Sequence, residues 1–254
     1  MSSKYKPPTS NVQRPKKTRL DHLMVQKKLV PTRSQAESYI RMGQVTVDGK
    51  VISKPGHFVR EDARLEFGVK QQYVSRAALK LASVATVLQL DFKHKVVLDV
   101  GSSTGGFTDY ALQHGASKVV AVDVGTDQLH PRLRGDVRVE LHEKTDIRKF
   151  VSEEKADVAI IDVSFISMRM VLASVSKLVK PKGQIIAMLK PQFEAGKDQL
   201  NKGIVKNSAQ RRDILQDFEA WCRQNKYVIL KKSDSAVAGE KGNVERFYLL
   251  TKAL

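Results

Sequence analysis

Residues 97–125 read VLDVGSSTGGFTDYALQHGASKVVAVDVG. An apolar strand, a Gly-rich turn, a helix and a second apolar strand ending on an acid follow one another, the order of a nucleotide-binding α/β unit. The turn lets the backbone approach a ligand at Gly101, Gly105 and Gly106. Asp123, at the end of the second strand, is spaced to take both hydroxyls of a ribose.

A dinucleotide turn reads G-x-G-x-x-G and needs its middle glycine where the pyrophosphate comes closest. Ser103 stands there in this chain. Asp99 closes the first strand, and a carboxylate at that point repels a pyrophosphate but suits an ammonium group. S-adenosylmethionine carries both the ammonium group and the ribose, and is the expected cofactor. An unrelated nucleotide on a doubly wound domain is the competing reading.

Around this unit β and α patterns alternate. Strands are predicted at 95–100, 118–123, 137–141, 157–162, 184–190, 227–232 and 244–251, with helices near 106–114, 168–179 and 208–225. A long helix from Tyr73 to Leu88 repeats apolar residues at helical spacing. The fold class expected is α/β, a mostly parallel Rossmann-like sheet covered on both faces, with an antiparallel edge from the two terminal strands.

Several strands finish in charged groups at the edge where open α/β sheets bind ligands. Asp162 follows an apolar run, Lys190 precedes Pro191, and Glu245 opens a last strand whose antiparallel direction returns it to the same edge. Lys80 lies off the centre of the long helix's apolar stripe and can reach the same crevice. Two lysines and two carboxylates beside a cofactor suit methyl transfer onto a ribose hydroxyl. One lysine takes the proton while its amine is neutral, and nearby positive charge favours that neutral form.

The 254 residues carry 44 Lys and Arg against 27 Asp and Glu, a net +17 that marks a polyanion binder. Residues 1–72 hold 15 of these bases and 6 of the acids, so over half of the excess lies in under a third of the chain. No apolar run spans a bilayer and MSSKYKPPTS is no signal region, so a cytoplasmic protein without membrane contact is expected. Cys222 is the single cysteine, and the six histidines show no metal-ligand spacing.

Residues 1–17 read as a disordered basic arm, 69–72 as a linker and 73–254 as the catalytic domain. Between arm and linker, residues 18–68 pattern as an α+β domain. A short helix bears Leu20, Leu23, Met24 and Leu29, Ser34 and Glu37 form a capping box for a second helix ending at Gly43, and Val45, Val47 and Val51 alternate around an Asp48-Gly49 turn. The RLD opening, the paired helices and the G-x-V-x-V-D-G hairpin resemble an S4 RNA-binding domain. In that module paired helices offer cations to phosphates, which implies Lys27, Lys28, Arg33 and Arg41.

SRAALKL, VLDVGSSTGGFTDYAL, AVDVGTDQL, IIDVSFIS, LKPQFEAGK and GNVERF occur in the order and approximate spacing of the TlyA family. That family, often labelled haemolysins, comprises ribosomal RNA 2'-O-methyltransferases with an S4 domain and an FtsJ-like catalytic domain. The resemblance implies a Lys80, Asp162, Lys190, Glu245 tetrad with Lys190 as base. It also implies cofactor contacts at Asp99, Gly101, Gly105 and Asp123, an adenine-side contact at Asp146 and a pocket role for Phe165. Lys241 replaces the small residue expected before Gly242. The chain stops just beyond the last strand, like the shorter members that act on large-subunit RNA alone, so a cytidine of the large subunit is the expected target. A non-catalytic RNA-binding or ribosome-assembly factor is the rival, and a pore-forming haemolysin a third possibility that lacks a membrane span.

Overall fold

The computed structural model describes residues 16–67, 73–205, 207–239 and 242–253. The chain divides into two compact units, 1–69 and 70–254. Most of the arm, the linker residues and Lys241 lie outside the described residues.

The first unit contains β1 (Lys17–Arg19), α1 (Leu20–Gln26), α2 (Arg33–Arg41), β2 (Val45–Val47), β3 (Lys50–Val51), β4 (Phe58–Arg60) and β5 (Leu65–Phe67). Lys17 belongs to β1, paired with Arg60 on β4, and not to the arm; three residues are too few to show a strand period. At the hairpin, Asp48 and Gly49 both take positive φ (49° and 78°), as a type I′ turn requires. The N-cap of α2 is Thr32, whose Oγ1 accepts from Gln35 N at 3.2 Å and donates to Gln35 Oε1 at 3.1 Å. The N-cap therefore sits two residues before Ser34, and Ser34 and Glu37 do not form the expected capping box. Lys27 caps α1 and Lys28 adopts a left-handed φ of 57°, so both cations lie on the inter-helix turn and not on a helix.

Asp21 organises this unit. Fully buried, it accepts from Arg19 Nη2 at 2.7 Å, Arg33 Nε at 3.0 Å and its neighbour's backbone His22 N at 3.0 Å. Burial pushes its carboxyl up, but the hydrogen bonds and charges of Arg19 and Arg33 outweigh it and hold the pKa at about 2, below the ordinary 3.8. The stabilisation is thus complete above pH ~4 and is lost as pH falls toward 2. Asp21→Asn is expected to cost about 2 to 3 kcal/mol, less than a fully buried pair because both arginines are partly exposed. Urea unfolding of the intact chain checks this, and the gap to wild type should shrink below pH 4.

The second unit runs α3 (Arg76–Leu88), β6 (Val96–Val100), α4 (Gly106–Gln113), β7 (Lys118–Val122), α5 (Pro131–Arg134), β8 (Val139–His142), β9 (Ala156–Ile161), α6 (Met168–Leu178), β10 (Val179–Leu189), α7 (Pro191–Glu194), β11 (Leu200–Asn201), β12 (Ile204–Val205), α8 (Ser208–Gln224), β13 (Tyr227–Asp234) and β14 (Arg246–Lys252). Seven strands form one sheet in the order β13-β14-β10-β9-β6-β7-β8. Neighbours from β10 to β8 are parallel, and β14 is antiparallel to both β10 and β13. The antiparallel strand is therefore inserted inside the sheet, and β13 forms the edge.

Both faces are covered because the central strands carry apolar residues on both sides. Val97, Val158, Ile160, Ile186 and Met188 pack with α3 and α4 residues such as Leu81, Val84 and Phe107. Their alternates Leu98, Ala159, Ile161, Ile185 and Ala187 pack with Val171, Leu172 and Val175 of α6 and Phe218 and Cys222 of α8. Asp109 of α4 is buried and pins three segments: it accepts from Val74 N at 2.8 Å, Gln113 Nε2 at 2.8 Å and Arg132 Nη2 at 2.9 Å. This places the start of α3, and so Lys80, against the Gly-rich turn.

Candidate active site

Two cavities open at the C-terminal edge of the parallel strands. The first, about 670 Å³, is lined by Lys80, Lys190 and Glu245 together with Ser164, Phe165, Gln192, Phe193 and Asn243. The second, about 480 Å³, is lined by Gly101, Ser103, Asp123, Asp146, Arg148, Asp162, Ser164 and Phe165. Both volumes fall in the range of small-molecule sites. Ser164 and Phe165 line both, so a group held in one cavity borders a group held in the other.

The three charged residues expected at the strand ends and Lys80 of the long helix form two ion pairs. Lys80 Nζ lies 2.8 Å from Glu245 Oε1, with only 11% of the lysine and 2% of the glutamate side chain exposed. Lys190 Nζ lies 2.6 Å from Asp162 Oδ1 and donates to Ser164 Oγ at 2.7 Å. Strand topology explains the convergence. Lys190 follows β10, Asp162 follows β9, and antiparallel pairing of Leu189 with Arg246 brings Glu245 beside them. Glu245 also dictates the residue facing it, since a Cβ on Gly239 would stand 2.6 Å from its Oε1.

In the second cavity Asp123 is fixed by backbone donors: Ser103 N gives to Oδ2 at 2.8 Å and Gly125 N to Oδ1 at 2.7 Å. Each oxygen keeps a lone pair for a further donor, the arrangement a diol needs. Ser103 reaches this position through a left-handed φ of 45° and also donates to Gln128 Oε1 at 3.0 Å. Asp146 is ion-paired with Arg148 at 2.6 Å, and that hydrogen-bonded guanidinium holds its carboxyl at about 2. Phe165 is 91% exposed, has φ of 64°, and its ring lies 5.1 Å from that of Phe193.

Asp99, Gly105 and Gly106 line neither cavity. Asp99 is fully buried on β6 and accepts from Thr108 Oγ1 at 2.6 Å, while its Oδ1 has no hydrogen-bond partner. Burial raises its pKa to about 7, and the charges of Asp162 and Asp123 add to that rise. A cation bound nearby would restore its charge, so an ammonium group fits. Packing alone requires glycine at both positions. A Cβ on Gly105 would collide with Leu129 and Leu133, and one on Gly106 with Ser75 and Ala77. Gly101 combines φ of 80° with a Cβ position 2.5 Å from Asp162 O, which keeps the ends of β6 and β9 together. Sequence reasoning missed Ser164, Gln192, Phe193, Arg148 and Asn243; the first four stand beside expected residues in DVSF, KPQF and DIR.

Comparison with known proteins gives the family. The FtsJ-like methyltransferase family matches residues 73–252 and the S4 domain matches residues 18–65. A Campylobacter jejuni protein named 23S rRNA (cytidine-2'-O)-methyltransferase TlyA is 37% identical, over 90% of this chain and 97% of the relative. The Mycobacterium tuberculosis protein named 16S/23S rRNA (cytidine-2'-O)-methyltransferase TlyA is 34% identical, over 92% and 90%. A Streptococcus thermophilus protein whose solved structure carries a hemolysin label is 37% identical, with a TM-score of 0.70 over 94% of this chain and 89% of that one. Among the described residues no helix is long and apolar enough to cross a membrane, and no group of His, Cys, Asp and Glu could hold a metal ion. This chain belongs to the FtsJ-like methyltransferase family, in the TlyA branch that carries an S4 domain, and is an S-adenosylmethionine-dependent enzyme.

Proposed function

We propose that the enzyme methylates the 2'-hydroxyl of a cytidine in ribosomal RNA, with the large subunit as its target. The observation that carries this reading is the Lys190–Asp162 pair at the wall shared by the two cavities. The cytidine and the ribosomal RNA come from the names of the relatives, and 23S is the element common to both TlyA names. Such a substrate places the enzyme in the cytoplasm.

When bound, S-adenosylmethionine supplies an electrophilic methyl group. Asp123 would hold its ribose hydroxyls, Gly101 and Ser103 would give the backbone of that cavity, and the buried Asp99, which lines neither cavity, would favour the ammonium through its charge. Asp146, tied to Arg148, borders the adenine side with Phe165. Lys190 first gives up a proton and then, as the neutral amine, accepts the proton of the attacking hydroxyl, its nitrogen positioned by Asp162 and Ser164. Lys80 and Glu245 fix the opposite wall of the acceptor cavity. Alignment of acceptor and donor across the Ser164–Phe165 wall supplies much of the acceleration.

Asp123→Ala should weaken cofactor binding by about 10- to 100-fold, because a charge-assisted contact to the diol is lost. Calorimetric titration measures it; an unchanged affinity would place the ribose elsewhere. Incubating the enzyme with labelled cofactor and unmodified small and large subunits separately tests the function as a whole. Label in the large subunit is the expected result, label in the small subunit would overturn the preference, and none in either would favour the non-catalytic RNA-binding reading.

In the S4 unit Lys27, Lys28 and Arg41 are exposed and make no ion pair among the described residues, whereas Arg33 is engaged by Asp21 and by Glu37 at 3.3 Å. The three unpaired cations are therefore the stronger phosphate contacts. Replacing Lys27 and Arg41 by Ala should lower the salt slope of RNA binding by up to about two units. Filter binding across a salt series gives the slope, and an unchanged value would move the RNA contact away from these two cations.

A further inference from the structure

Leu200 and Gly203, from the small hairpin β11–β12, line the acceptor cavity. The hairpin has two residue pairs, Leu200 with Val205 and Asn201 with Ile204, and turns at Lys202-Gly203 with φ of 49° and 81°. A ribbon so short does not persist in water without outside support. Asn243 provides it. Its Oδ1 accepts from Val205 N at 3.2 Å and its Nδ2 donates to Gly203 O at 3.0 Å, so the side-chain amide pairs with the hairpin as a peptide group would. Asn243 is buried, its own carbonyl accepts from Gly239 N at 2.8 Å, and Glu245 follows two residues later.

We propose that Asn243 is a positioning residue that latches the β11–β12 hairpin as the roof of the acceptor cavity, giving the enzyme its grip on the RNA nucleotide. This rests on the reading of that cavity as the acceptor's. The backbone around Asn243 has other anchors: Arg211 Nη2 donates to Val244 O at 3.1 Å and Ser235 N to Glu245 O at 2.9 Å. Removing the Asn243 side chain therefore takes away both hydrogen bonds from it to the hairpin, whose second strand still packs against α7 and α8, and leaves Glu245 in place on Lys80.

Asn243→Ala and Asn243→Asp in the full chain test the latch. For the alanine variant the KM for RNA should rise about tenfold or more with kcat within about threefold of wild type, and calorimetric cofactor affinity should stay within about twofold. The aspartate keeps the acceptor for Val205 N and loses the donor to Gly203 O, so its KM should fall between the two. Hydrogen exchange reports the latch without activity: Val205 N should lose protection in the alanine variant while β10 amides keep theirs. Retained protection at Val205 overturns the latch, and lost protection with unchanged KM overturns its role in RNA grip. A parallel loss of cofactor affinity would reduce Asn243 to a structural residue. Wild-type enzyme that methylates no RNA would instead overturn the acceptor reading, while the exchange result would still decide the latch.

Discussion

Lys190→Ala is expected to lower the rate of methyl transfer by about 10³- to 10⁴-fold, the upper part of what a positioned proton acceptor contributes. Cofactor affinity should change by less than about threefold, because Lys190 lines the acceptor cavity and not the one holding Asp123. The variant also leaves Asp162 without its partner at 2.6 Å. A Lys190→Met control keeps the side-chain volume and separates loss of the base from collapse of the wall. Single-turnover assays with labelled cofactor read the chemical step, and a rate within tenfold of wild type would remove Lys190 from that role.

Glu245→Ala should be the most destabilising single change at the site. It strands the Lys80 ammonium in a place where 11% of its side chain meets solvent, and breaking such a buried pair costs about 3 to 5 kcal/mol. Replacing both partners, as Lys80→Met with Glu245→Leu, should recover most of that stability because no charge remains to be desolvated. The double variant should nevertheless stay inactive. Urea unfolding alongside the methyl-transfer assay distinguishes the outcomes: full activity in the double variant would show that the pair serves folding alone, and a single variant as stable as wild type would contradict the burial argument.

These roles differ in how visibly they are written in the chain. The central strands were legible because both of their faces are buried, so β6, β9 and β10 read as mainly apolar runs, and charged residues directly after β9 and β10 announce the ligand edge. Asp162, Lys190 and Glu245 could be picked out for the same reason: each sits beside an apolar strand's end. Capping was less legible, since Thr32/Gln35 and Ser34/Glu37 overlap and either pair satisfies the pattern. α5, α7 and the β11–β12 hairpin are too short to show any period. Partnerships such as Asn243 with Val205, 38 residues apart, depend on how loops meet and leave no local trace. The glycines were visible, yet whether Leu133, Ser75 or a ligand occupies the space beside them is a fact of packing.

The insertion of β14 between β10 and β13 makes the acceptor wall depend on the last strand of the sheet. Val100, Gly101, Ser103, Asp123, Asp146 and Asp162, which line the donor cavity, all lie between β6 and the residue that follows β9. Lys80 must wait for a carboxylate 165 residues further on, delivered by the strand that follows every other member of the sheet in sequence. The two cavities thus differ in reach along the chain: the donor cavity draws on one continuous stretch, whereas the acceptor wall closes only across the full length of the domain.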